Sequence, residues 1–248
     1  MDAYHALAAS YDRLTEDVDY GEIFAYMQEL LRRAGKNPRS LLDLGCGTAS
    51  LSLLFAEKGL KVTALDLSEE MLTLAASKAE KLPPSRRPRF LCCPMQKLAL
   101  PEPVDCVIAS LDSLNYITDP EELKRIFCRV FVALNSGGIF IFDLNTEEKF
   151  RNLDGQIFLD EDEDVYCVWR ADYEESSRMM TYGMDLFQRE GKNWKRSWEC
   201  HEERAYLPEE ISDFLEKAAF QKIRIYGNGV FCPPEAGEHR IWICAEKE

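Results

Sequence analysis

Two hydrophobic periods divide this chain. Between residues 41 and 144, short apolar runs at 41–44, 62–65, 89–93, 104–110 and 139–143 alternate with segments at 48–58, 68–81 and 120–134 whose apolar residues recur at helical spacing. The runs read as strands and the spaced segments as helices, the alternation expected of a parallel sheet. Gly59 closes the first helix, Ser68 is placed to cap the second, and Asn135-Ser-Gly-Gly138 ends the third. The unbroken run Ile139-Phe-Ile-Phe142 suits a strand covered on both faces. Upstream, Ile23, Phe24, Met27, Leu30 and Leu31 share a helical face that Gly35 stops, while Asp12 and Asp17-Val-Asp19 split the front into two short helices.

After residue 144 the period falls to two. Segments 165–173, 178–188 and 194–206 alternate apolar and polar residues between polar turns, which predicts a three-stranded antiparallel meander. Cys167, Trp169 and Ala171 share a face, as do Met180, Tyr182, Met184 and Leu186, and Trp194, Trp198 and Cys200. His201 has the opposite parity to the last set and is expected at the surface. Asp160-Glu-Asp-Glu-Asp164 is expected to be a solvated turn. A helix at 208–219, with Pro208 early and Glu209-Glu210 at its start, precedes two final strands at 221–226 and 241–245.

The chemistry concentrates at the first strand-to-helix junction, Leu41-Leu-Asp-Leu-Gly-Cys-Gly-Thr-Ala-Ser50. Gly45 and Gly47 allow a tight turn and a close approach of backbone to ligand. The helix start beyond them presents unpaired N–H groups. Asp66, at the tip of the next strand, stands where an acid about 20 residues on accepts hydrogen bonds from ribose hydroxyls. An adenosine-containing cofactor is therefore expected. A dinucleotide fingerprint wants Gly or Ala where Ser50 stands, and Asp43 would repel a diphosphate. Asp43 suits instead the ordering of loop amides, or a cation such as an α-ammonium group.

The 248 residues allow one sizeable core, or one core with an embedded subdomain. A net charge of −14 disfavours nucleic acid and fits a small molecule or a basic protein. Arg86-Arg87-Pro88-Arg89 follows Pro83-Pro84 and reads as a solvated loop. Nine cysteines without a C-x-x-C pair predict reduced thiols in a cytoplasmic protein and no metal site. The start Met1-Asp-Ala-Tyr-His lacks the features of a signal peptide, and no apolar run approaches the ~18–20 residues of a membrane span.

Asp43, Gly45 and Gly47, with Ala49 at the third glycine position, resemble motif I of the class I S-adenosylmethionine (SAM) methyltransferases, D/E-x-G-x-G-x-G. The order of elements is similar over nearly the whole chain, and the insertion after strand five resembles a small-molecule-type bacterial group. The resemblance implies an α/β fold: a Rossmann-like seven-stranded sheet with helices on both faces, plus a small antiparallel β insertion. It implies a SAM-binding domain of residues 1–147 and 208–248, with 1–36 as a helical lid and 148–207 as a β subdomain covering the active site. It places Gly45 and Gly47 under the methionine and ribose parts of SAM, with Asp43 and Cys46 completing the loop. Asp66 then holds the ribose, Leu67 and Met71 line the adenine, Ser110 and Leu111 lie beside the sulfonium, and Tyr4, Tyr11 and Tyr20 close over the ligand. Relatives carry Asp-Met after strand three; here Pro94-Met95-Gln96 stands there, so the acid is missing, Gln96 or a backbone group is left to substitute, and weaker or altered adenine recognition is expected. The lid tyrosines read equally as packing residues, and without the surrounding motif Met71 and Met95 would read as ordinary core packing.

Methyl transfer is an in-line displacement that asks mainly for positioning and a dry site, and needs a base only for a protonated nucleophile. Candidates for that role are Asp112, Tyr116, Tyr182 and His201. Trp169, Trp194 and Trp198 fit either an aromatic wall for an amine or a meander core. No Asn/Asp-Pro-Pro-aromatic motif follows strand four, and Cys93-Pro94 reverses the order found in cytosine-C5 enzymes. The expected activity is metal-independent transfer of a methyl group from SAM to a nitrogen or oxygen of a small molecule, in a bacterial cytoplasm. The alternatives are a non-catalytic SAM-binding or protein-interaction module, and a nicotinamide-dependent oxidoreductase.

Overall fold

The computed structural model describes residues 11, 12, 15 and 17–248. Tyr4, and with it the front of the expected lid, lies outside the described residues. Strands β1 (Ser40–Leu44), β2 (Lys61–Asp66), β3 (Arg89–Cys92), β4 (Val104–Ala109) and β5 (Leu134–Asn145) run parallel, in the spatial order 3-2-1-4-5. The order reverses at β1, whose neighbours are β2 and β4. A crevice opens outside the carboxyl ends of the strands at such a point.

Helices cover both faces, and strand parity decides which residues meet them. Leu42, Leu44, Val107, Phe140 and Phe142 pack with helices α4 (Pro120–Ala133) and α6 (Pro208–Lys217). Leu41, Cys106, Ile108, Ile139 and Ile141 pack with α1 (Tyr20–Arg33) and α2 (Ser50–Glu57). This is why 139–142 is apolar at every position. Helix α3 (Glu69–Ala79) starts where Ser68 accepts a hydrogen bond from Met71 N at 3.1 Å. Strand β11 (Arg240–Glu246) runs antiparallel beside β5, with β10 (Gln221–Gly227) outside it.

The region after β5 departs from expectation. Helix α5 (Glu147–Leu153) comes first, and the insertion has four antiparallel strands rather than three: β6 (Ile157–Glu161), β7 (Val165–Glu174), β8 (Met179–Glu190) and β9 (Asn193–Arg204). Asp160 and Glu161 belong to β6, and only the following residues turn, where Asp162 accepts from the amides of Asp164 and Val165. Asn135-Ser-Gly-Gly138 does not separate α4 from β5 but lies within the strand, beside a register shift opposite Val104 and Cys106.

The face assignment of β9 is reversed. Tyr182 pairs with His201, Met180 with Glu203 and Met184 with Glu199, so these polar residues share the inner face with the buried methionines. His201 is 1% exposed, whereas Trp194 and Trp198 are 45% and 53% exposed on the outer face and form neither a core nor a wall of the cavity. Gly183 explains the outer position of Trp198: a Cβ there would lie 2.5 Å from the indole, so its absence gives the ring a bed.

Candidate active site

The glycine turn is built by hydrogen bonds between neighbouring strand ends. Gly45 N and Cys46 N both donate to Leu65 O, at 2.8 and 3.0 Å. Gly45 has φ +71°, and a Cβ there would lie 2.8 Å from Met95 Cε and 2.9 Å from Ser113 Cβ. Asp66 ties the turn to the next helix, accepting from Gly47 N at 2.8 Å through one oxygen and from Ser68 N at 2.9 Å through the other. Ala49 takes a left-handed φ of 64°, which delays the helix expected from residue 48 until Ser50.

Asp43 lies under this turn, 2% exposed. Its Oδ2 accepts from Ser52 Oγ at 2.6 Å, and its Oδ1 has no hydrogen-bond partner among the described residues. Burial pushes the carboxyl up to about 7, against the bond from Ser52. The N-terminal segment is fastened above the turn by Lys78, whose Nζ reaches Asp12 Oδ2 at 3.0 Å, Thr48 Oγ1 at 2.9 Å and Ser50 Oγ at 3.0 Å. Burial raises the phenols of Tyr11 and Tyr20, so both stay protonated at neutral pH.

A cavity of about 450 Å³ opens at this junction. Tyr11, Tyr20, Asp43, Gly45, Cys46, Gly47, Asp66, Leu67, Met71, Pro94, Met95, Gln96, Ser110 and Leu111 all line it, as do Tyr116 and His201. Asp112 and Tyr182 do not. Asp112 is turned away into an ion pair with Arg240 at 2.6 Å. Tyr182 sits on the inner face of the four-stranded sheet, its phenol raised by burial and by the carboxylates of Glu203 and Asp112. Gln96 donates its amide to Glu122 Oε2 at 2.9 Å while lining the cavity.

His201 closes the far wall. Its Nε2 lies 3.1 Å from Glu199 Oε2, and its ring sits 5.7 Å from that of Trp169 and 6.0 Å from that of Tyr116. Behind it, burial and the nearby Asp112 push Glu203 up to about 8, and burial lowers Lys149. Sequence reasoning passed over Glu199, and over Lys78, Asp143 and Arg240, whose partners are remote in the chain. Glu199 had a usable signal, since it stands two residues from His201 on the same strand. Among the described residues no group of His, Cys, Asp and Glu is arranged to hold a metal ion, and no helix is long and apolar enough to cross a membrane.

Comparison with known proteins gives a consistent result. A family model described as a methyltransferase domain matches residues 41–138. YqeM of Bacillus subtilis, named as a methyltransferase, is 30% identical over 246 residues, covering 98% of this chain and 97% of its own. The crystal structure of an S-adenosylmethionine-dependent methyltransferase from Clostridium acetobutylicum is similar with a TM-score of 0.86 and 31% identity, covering 99% of each chain. The sugar N-methyltransferase KedS8 from Streptoalloteichus shares the fold at 19% identity, with a TM-score of 0.77 over 96% of this chain and 93% of its own.

Proposed function

This chain belongs to the SAM-dependent methyltransferases, with the class I fold, and from that premise we propose that it transfers a methyl group to a nitrogen or oxygen atom of a small molecule. One observation carries the reading: a single cavity runs from the glycine turn, Asp43 and Asp66 to Tyr116 and His201. A cofactor held at the first end would face an acceptor held at the second. A module that only bound SAM would have no use for the second end.

The residues at the first end fit SAM. Asp43 Oδ1 is a buried acceptor lacking a donor among the described residues, which an ammonium group would supply. Each oxygen of Asp66 already holds one amide and keeps another lone pair for a ribose hydroxyl. Leu67 and Met71 offer one apolar flank for the adenine. Pro94 has no N–H to give, and one of the two Gln96 amide hydrogens goes to Glu122, so the adenine edge meets what remains of the Gln96 amide or backbone. Tyr11 and Tyr20 line the cavity with phenols that burial keeps protonated. When bound, SAM supplies a methyl group on a cationic sulfonium.

At the second end the proton acceptor narrows to His201 or Tyr116, because Asp112 and Tyr182 do not line the cavity. Glu199 fixes the His201 ring, and an imidazole so held can serve as the base for an amine or hydroxyl in reach. The inner sheet face excludes water from this wall. The test is incubation with methyl-labelled SAM and a panel of small amines and alcohols. Label in a small-molecule product, with matching S-adenosylhomocysteine (SAH), is expected; label confined to protein or nucleic acid would overturn the reading.

A further inference from the structure

The cavity wall beside β4 is a turn that the chain does not favour by itself. Leu111 and Asp112 are consecutive non-glycine residues with φ of 56° and 55°. Side chains with a Cβ avoid this left-handed region, and it persists only where the surroundings over-determine it. Here the surroundings are one buried carboxylate and one partly buried guanidinium. Asp143, at the end of β5 and fully buried, accepts from Leu111 N at 2.7 Å through Oδ1 and from Asp112 N at 3.1 Å through Oδ2. Arg240, the first residue of β11, donates one amino group to Asp143 and the other to Asp112 Oδ1 at 2.6 Å.

The geometry points to Arg240 and Asp143 as positioning residues for cofactor binding: together they clamp the Leu111–Asp112 turn against the glycine loop. This rests on reading the cavity as the SAM site. Ser110, Leu111 and Ser113 line the cavity, whereas the clamp itself lies behind it. Ser113 hands the position on, because its Cβ stands 2.9 Å from where a Gly45 side chain would begin, and its Oγ donates to Leu44 O at 3.4 Å. A shift of the turn therefore moves one wall of the cavity relative to the glycine loop. Apolar residues would fill the same space without the cost of desolvating three charges, so stability alone does not call for this arrangement.

Calorimetry with SAH tests the assignment on the full chain. Arg240→Met leaves Asp112 and Asp143 facing each other without the guanidinium that bridges them, and is expected to weaken SAH binding about tenfold. Arg240→Lys keeps the charge but cannot bridge both carboxylates, and should give a smaller loss; it carries the test if the Met variant does not fold. The decisive variant adds Asp112→Gly to Arg240→Met. Glycine adopts the left-handed turn unaided and removes one of the opposed carboxylates, so affinity should return to within about threefold of the unsubstituted protein. Unchanged SAH affinity in folded Arg240→Met and Arg240→Lys overturns the clamp, as does a failure of Asp112→Gly to restore it. An unsubstituted protein that does not bind SAH overturns the cofactor reading itself, and the role of the clamp with it.

Discussion

Asp43 makes cofactor binding sensitive to pH in a way that can be worked out beforehand. Burial holds its carboxyl at about 7, so at about pH 6 the free protein carries it roughly 90% protonated. An α-ammonium group meeting Oδ1 needs the carboxylate, and binding must then expel that proton. SAH affinity should fall about tenfold for each pH unit below 7, or 1.4 kcal/mol per unit, and level off above about pH 8. Titrations at about pH 6 in two buffers of different ionisation enthalpy should report the release of about 0.9 proton per SAH, and at about pH 8 about 0.1. Asp43→Asn removes the slope and weakens binding at pH 8 by about 1.5–3 kcal/mol, the worth of a charge-assisted hydrogen bond. Stability without ligand has its own sign. An acid whose pKa is raised in the fold makes the folded chain bind more protons than the unfolded one between about pH 4 and 7, so stability falls as pH rises through that window. The Asn variant should lose part of that fall. An SAH affinity that is flat between about pH 5.5 and 8, or an equal slope in Asp43→Asn, would refute the reasoning.

Three further outcomes are expected. Asp66→Ala removes the acceptor of the Gly47 and Ser68 amides as well as the ribose partner, and should weaken SAM binding in calorimetry by about 1–3 kcal/mol; unchanged affinity contradicts the ribose assignment. Gly45→Val drives a side chain into Met95 and Ser113 at a φ that disfavours it, so binding should vanish while circular dichroism still reports a folded chain. Gly183→Ala pushes against the half-exposed Trp198 ring and should cost about 1 kcal/mol, a fall in melting temperature of about 2–4 °C; the cost should disappear in a Trp198→Ala background.

What the sequence disclosed was local. Gly45, Gly47, Asp66 and the Ser68 cap declare themselves because each acts on partners within about one strand-turn-helix unit. The parallel strands were equally readable as unbroken apolar runs, since both faces of their sheet are apolar cores. The same rule misled at β9. Apolar parity marks the buried face only where that face is apolar, and the inner face of β9 carries the buried Glu199, His201 and Glu203, of which His201 lines the cavity. Helix α5 and strand β6 escaped notice because α5 has a single buried residue, Phe150, and β6 leaves Ile157 and Leu159 exposed, so no period stands out. The clamp was out of reach altogether: Arg240 finds Asp143 97 positions away and Asp112 128 positions away, and only the antiparallel return of β11 along β5 brings them together.

The central claim is that the glycine turn, Asp43 and Asp66 hold SAM, and one experiment reaches it most directly: titration of the purified protein with SAM, SAH and NADH side by side in a calorimeter. Micromolar binding of SAM and SAH, with no heat from NADH, is the predicted result. Binding of NADH, or silence from all three ligands at about pH 8, where Asp43 is ionised, would contradict it.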